Sequence, residues 1–147
     1  MRLYNYSLII LFCVGLNNCQ AQKTVTDDHA IIELTNFYKF YIQECSDIEP
    51  ENHRRIDSLR RQYSTANLKE QLKEEREAGY DFIVQTNGCQ IEAKKTVKVT
   101  KDKKGKDIFV VSFAHYYYNP VAKEEMVYIK LKIIKTETGI LIDKIIM

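Results

Sequence analysis

Tryptophan is absent from this chain of 147 residues, histidine occurs three times, proline twice and glycine five times. The glycines, at 15, 79, 88, 105 and 139, stand alone, so neither a phosphate-cradling loop nor a dinucleotide fingerprint can be assembled from them. His29, His53 and His115 are scattered, and there is no H-E-x-x-H, C-x-x-C or G-x-S-x-G pattern, which removes spacing-defined metal sites and the hydrolase elbow. No cofactor is expected. Charge of one sign is lacking too: 22 Lys and Arg face 20 Asp and Glu, a net charge of +2. A nucleic-acid partner demands a marked basic excess on one face, and this balance excludes it. Low-complexity tracts and internal repeats are also missing.

What is present begins at the N-terminus. Arg2 is followed by an apolar run over 6–16 and a polar end, Asn17-Asn18-Cys19-Gln20-Ala21. This tripartite order marks 1–21 as a secretory signal segment, too short to span a bilayer as a permanent helix. Two processing routes remain open. Cys19 and Ala21 suit an ordinary cut before Gln22, whereas Leu16-Asn17-Asn18-Cys19 resembles a lipoprotein box that would acylate Cys19. Contact with the membrane is expected only through such a lipid. Arg2 is the sole charge in 1–21, so the mature chain carries 21 − 20 = +1.

Export also governs the cysteines. Cys13 lies in the apolar run and Cys19 at the processing site, leaving Cys45 and Cys89. In an oxidising compartment this pair can form a disulfide. As two separate buried thiols they would serve as small hydrophobes.

With 45% hydrophobic residues, the mature chain can build one proper core. A polar tether is expected over 22–28 and a single domain over 29–147. Apolar spacing of three and four predicts a helix over 29–45, with Ile31, Leu34, Tyr38, Tyr41, Ile32, Phe37 and Phe40 inward and Asp27 or Asp28 as cap. Pro50 breaks the pattern. A second helix is predicted over 51–61 with Ile56 and Leu59 inward. A third runs from a Ser64 or Thr65 cap to Ala78, stopped by Gly79. Strands are expected over 91–100, 107–118, 126–135 and 140–146, with turns at 102–105, Asn119-Pro120 and Thr138-Gly139. Helices followed by an antiparallel meander give an α+β fold, the helices packed on one face of a curved sheet.

Tyr63-Ser-Thr-Ala-Asn-Leu68, then Gly79-Tyr80-Asp81-Phe82-Ile83 with Gln85, resembles a family of uncharacterised exported bacterial domains with an NTF2-like (cystatin-like) cone. So do Phe37-Tyr38 with Tyr41, and the closing run over 139–145. The resemblance covers the mature chain and implies the cone fold; it implies no reaction. Ile140 stands where the family usually carries Trp.

One constellation could carry chemistry. Tyr80, Asp81, His115 and Tyr117 would meet in the pocket that such cones open between sheet and helices, where a desolvated carboxylate could shuttle a proton. The bland reading makes Asp81 a turn cap and His115 a packed histidine on the strand face of Phe109, Val111, Phe113 and Tyr117. Seven lysines between Lys94 and Lys106 flank a hairpin, interrupted by Asp102, and suit a solvated edge that discourages strand pairing. The leading expectation is a non-catalytic envelope protein that binds a partner protein or small ligand. An isomerase- or dehydratase-type enzyme using Asp81 and His115 is the rival, and an immunity or inhibitor protein a third reading. Export has a direct check. Protein recovered from its native envelope should begin at Gln22, or at a Cys19 heavier by about two or three acyl chains. Full-length chain as the main cytosolic species would contradict it.

Overall fold

In the computed structural model, which describes residues 24–47, 49–75, 80–119 and 121–147 and only the backbone at 117–119, 121 and 122, the chain is α+β. The signal segment, Cys19 and the helix stop at Gly79 lie outside the described residues. Helix α1 (Asp27–Cys45) is capped by Thr26, whose hydroxyl accepts the His29 N–H at 3.2 Å. Asp27 and Asp28 fall in the first turn instead, where the helix dipole favours acids. Leu34, Phe37, Tyr38, Tyr41 and Ile42 form one buried stripe. Ile32 and Phe40, expected inward, are 61% and 54% exposed: at about 100° per residue they project opposite the stripe.

Helix α2 (Pro50–Tyr63) starts on its proline, a residue already fixed at a helical φ with no N–H to leave unpaired. Helix α3 (Ala66–Gln71) is capped by Thr65, buries Leu68, and passes into a 3₁₀ turn over Leu72–Glu74. The sheet has the order β1 (Lys98–Lys101), β2 (Ile108–Asn119), β3 (Val121–Lys135) and β4 (Ile140–Ile146), all antiparallel. Phe109, Val111 and Phe113 of β2 and Ile129, Leu131 and Ile133 of β3 join the α1 stripe in one core.

Three expectations are corrected. Ile91–Lys95 is a 3₁₀ turn, so the first strand starts only at Lys98. β3 begins at Val121, five residues before Met126, because it pairs with β2 right up to Asn119. The tether is no free linker at its C-terminal end: the Val25 N–H donates to the Thr136 carbonyl at 3.1 Å, and Asp27 binds Lys101 and Lys135.

β4 joins the helices to the sheet. The Thr65 N–H donates to the Ile142 carbonyl at 3.1 Å. The Gln71 amide spans Ile145, donating to its carbonyl at 2.8 Å and accepting its N–H at 2.9 Å. A bulge at Lys132/Ile133 leaves Asp143 to bind Lys132 at 3.2 Å and the Thr65 hydroxyl at 3.0 Å.

Cys45, the last residue of α1, is bridged to Cys89, with Cα atoms 5.3 Å apart. The reading of two separate thiols is therefore set aside. The cross-link closes a loop of sequence separation 44 and restricts the unfolded chain. Replacing both cysteines by alanine, or reducing the protein, is expected to lower stability by about 2–4 kcal/mol. That corresponds to a fall on the order of 10 °C in a thermal melt; an unchanged melt would show the bridge to be energetically idle.

Candidate functional site

Asp81 opens a tight turn. Its Oδ1 accepts the N–H groups of Ile83 at 2.7 Å and Val84 at 3.3 Å. Phe82, Ile83 and Val84 sink into the core, where the Tyr38 hydroxyl donates to the Ile83 carbonyl at 3.0 Å. The chain must then reverse. The Gln85 N–H returns to the Asp81 carbonyl at 2.7 Å and the Asp81 N–H donates to the Thr86 carbonyl at 3.1 Å. Closing this ring holds Gln85 at φ 53°, a left-handed conformation unfavourable to a side chain with a Cβ.

The other carboxylate oxygen of Asp81 enters a part-buried ion network centred on Arg60. The Arg60 guanidinium donates to both oxygens of Glu75, at 2.7 and 2.8 Å, and to Asp81 Oδ2 at 2.9 Å. Its Nε donates to the Tyr41 hydroxyl at 2.7 Å, and that hydroxyl donates to Asp81 Oδ2 at 2.6 Å. Glu75 also accepts the Phe82 N–H at 2.9 Å. Burial works against the Arg60 charge, but the facing Tyr41, Asp81 and Glu75 oxygens raise its pKa overall. Burial pushes the Glu75 carboxyl above its ordinary range, against the pull of Arg60. It also raises the Tyr41 hydroxyl well above its usual value, keeping it a neutral donor.

An open cleft of about 520 Å³ lies between Tyr80, the 85–90 loop, and His115 and Tyr116 of β2. Its wall is fixed at several points. The Thr86 hydroxyl donates to the Gly88 carbonyl at 2.7 Å, and Cys89 is tied to α1 by the disulfide. The Gln90 amide acts as a surrogate strand, accepting the Tyr116 N–H at 2.8 Å and donating to its carbonyl at 2.6 Å. Nearer β1, the Thr96 hydroxyl accepts the Ala114 N–H at 2.8 Å in the same manner. Burial lowers the pKa of His115 below its ordinary 6.5, favouring a neutral imidazole.

The cleft thus brings Tyr80 and His115 together but is not lined by Asp81, whose carboxylate is engaged with Arg60, Tyr41 and its own turn. The side chain of Tyr117 lies outside the described residues. Sequence reasoning missed Arg60, Glu75 and Tyr41, which no motif links across a separation of 40 residues between Tyr41 and Asp81. It also missed Gln85, Asn87 and Gln90 as wall residues. The available signal was a polar, uncharged run from Gln85 to Gln90 in a chain that is 29% charged. Among the described residues no group of three or more His, Cys, Asp or Glu could hold a metal ion, and no helix is long and apolar enough to cross a membrane.

No family model matches the chain, and no curated protein is significantly similar to it. Its fold is similar to that of a crystal structure of a protein of unknown function from Bacteroides thetaiotaomicron VPI-5482. The TM-score is 0.71 at 21% identity over 82% of this chain and 90% of that one. The likeness is one of fold.

The Arg60 network generates two linked expectations. Arg60→Met leaves the carboxylates of Glu75 and Asp81 without their counter-charge. Urea titration near neutral pH should show a loss of about 3 kcal/mol, the lower end for a broken buried pair because all three groups keep some solvent contact. A carboxyl whose folded-state pKa is raised adds stability while protonated, and that contribution disappears as pH rises through the raised value. Wild type should therefore lose stability relative to Glu75→Gln as pH climbs above the ordinary glutamate range. Parallel pH profiles for the two proteins would contradict this.

Proposed function

We propose that this chain is an exported, non-catalytic module of a bacterial cell envelope that binds a small ligand in the cleft beside the disulfide. The observation that carries the reading is the character of the cleft: a fixed wall, Tyr80 at its rim and amides at Gln85 and Asn87, with no carboxylate among its described lining residues. Acid–base catalysis requires proton-transfer groups converging on one substrate position. Here the nearest sequence candidate, Asp81, is saturated by Arg60, Tyr41 and two backbone N–H groups. Binding sites of small molecules are pre-formed concavities of roughly 300–1,000 Å³ with a few oriented polar groups, and this cleft falls within that range. The Cys45–Cys89 bridge supports an oxidising compartment, in keeping with export. Helices followed by a meander support grouping the domain with NTF2-like cones.

The test is a nitrogen–proton NMR titration of the mature protein against a panel of small polar metabolites, with product formation followed in parallel. Binders should move the amides of 85–90, 115 and 116 and remain chemically unchanged. Shifts concentrated elsewhere would overturn the cleft assignment. Turnover abolished in a folded Asp81→Asn variant would overturn the non-catalytic one.

A further inference from the structure

The lining of the cleft narrows the chemistry of what it can hold. In a chain that is 29% charged, none of the nine described residues that line it carries a formal charge when His115 is neutral. A carboxylate or phosphate entering it would lose hydration without gaining a counter-ion from those residues, and an ammonium group would fare no better. A wholly apolar ligand would leave the amides of Gln85 and Asn87 on one wall without hydrogen-bond partners. The residual class is neutral and polar.

Within that class the wall offers specific groups. The amides of Gln85 and Asn87 make no side-chain hydrogen bond among the described residues, whereas that of Gln90 already donates to and accepts from the Tyr116 backbone. Each such amide presents an acceptor beside two donors, the complement of adjacent hydroxyls, which both donate and accept. Tyr80, part-exposed, supplies an apolar ring face on which the C–H side of a sugar-like ring can lie. Gln85 is moreover held in a left-handed conformation that a glycine would adopt freely, and such strain is concentrated at ligand sites. An extended peptide would need a free strand edge to pair with, and on this side of β2 the Ala114 and Tyr116 backbone groups are already taken by Thr96 and Gln90.

We infer that the cleft bounded by Tyr80, Gln85, Asn87, His115 and Tyr116 binds a neutral, hydroxyl-rich ligand of the saccharide class. The inference rests on the cleft being the binding site and adds the chemistry of its occupant. Hydroxyl-rich ligands are selected by oriented amides because an analogue lacking the hydroxyl leaves those amides desolvated and unpaired.

The experiment is a screen of the mature protein against a broad array of neutral glycans, with oligogalacturonates as the acidic arm and neutral tripeptides as the peptide arm. Hits are followed by calorimetry and by the same cleft amides in NMR. Two variants accompany it: Gln85→Gly, which relieves the left-handed strain and so keeps the fold, and Asn87→Ala on an exposed loop position. A neutral saccharide should bind with a dissociation constant of roughly millimolar or below, and each variant should weaken it at least about tenfold while melting like wild type. Preferred binding of galacturonates or of tripeptides overturns the inference, as does saccharide binding indifferent to both variants. If no glycan binds but other metabolites move the cleft amides, the saccharide class is wrong and the cleft reading survives. If nothing moves them, both fall.

Discussion

Side chains from α1 and from either side of the segment 75–81 converge on the guanidinium of Arg60. α1 contributes Tyr41, α2 the arginine itself, the segment after α3 Glu75, and the tight turn Asp81. Two carboxylates share one cation, so the cluster holds together only while that cation is present. Arginine suits the position because its planar fork serves Glu75 through two donors, Asp81 through one and Tyr41 through Nε, which an ammonium group could not do together. Glu75 in turn accepts the Phe82 N–H, so the start of the buried run 82–84 is positioned by the same charge.

The cleft follows from that constraint. Its 85–90 wall is anchored upstream by the Asp81 turn and downstream by Cys89 and Gln90, one covalently to α1 and one by hydrogen bonds to β2. Between these anchors the backbone has no freedom to relax Gln85 out of its left-handed conformation. Rigid anchorage on both sides of a short strained loop keeps the geometry of the exposed amides at Gln85 and Asn87 independent of any occupant. A pre-organised wall avoids the entropy loss of ordering a loop upon binding.

Much of the fold was legible in the sequence, because period and punctuation report on burial. The 3.6-residue stripe of Leu34, Phe37, Tyr38 and Tyr41 and the alternation of Phe109, Val111 and Phe113 each specify a buried face. The stretch 91–97 was not legible as a turn: Val97 and Val99 extend its alternation, but Gln90 and Thr96 are drawn off to serve β2 by their side chains. The site was less legible still. Asp81 could be singled out from the sequence, yet its role is set by Arg60, 21 residues earlier, and only tertiary packing reveals that pairing. Nor does composition announce that Gln90 mimics a strand.

β4 pairs with β3, its neighbour in sequence, but it also receives Thr65 and Gln71 from the helical half across separations of more than 70 residues. The meander itself has low contact order and can zip up locally. Helix α3, by contrast, meets the sheet through residues 142–145. A nascent chain stalled short of β4 would leave the Leu68 face of α3 uncovered, so docking of that helix waits for β4. Completion of the domain is in that sense governed by its last strand, and slow or interrupted delivery of that strand is the stage at which a chaperone has something to hold.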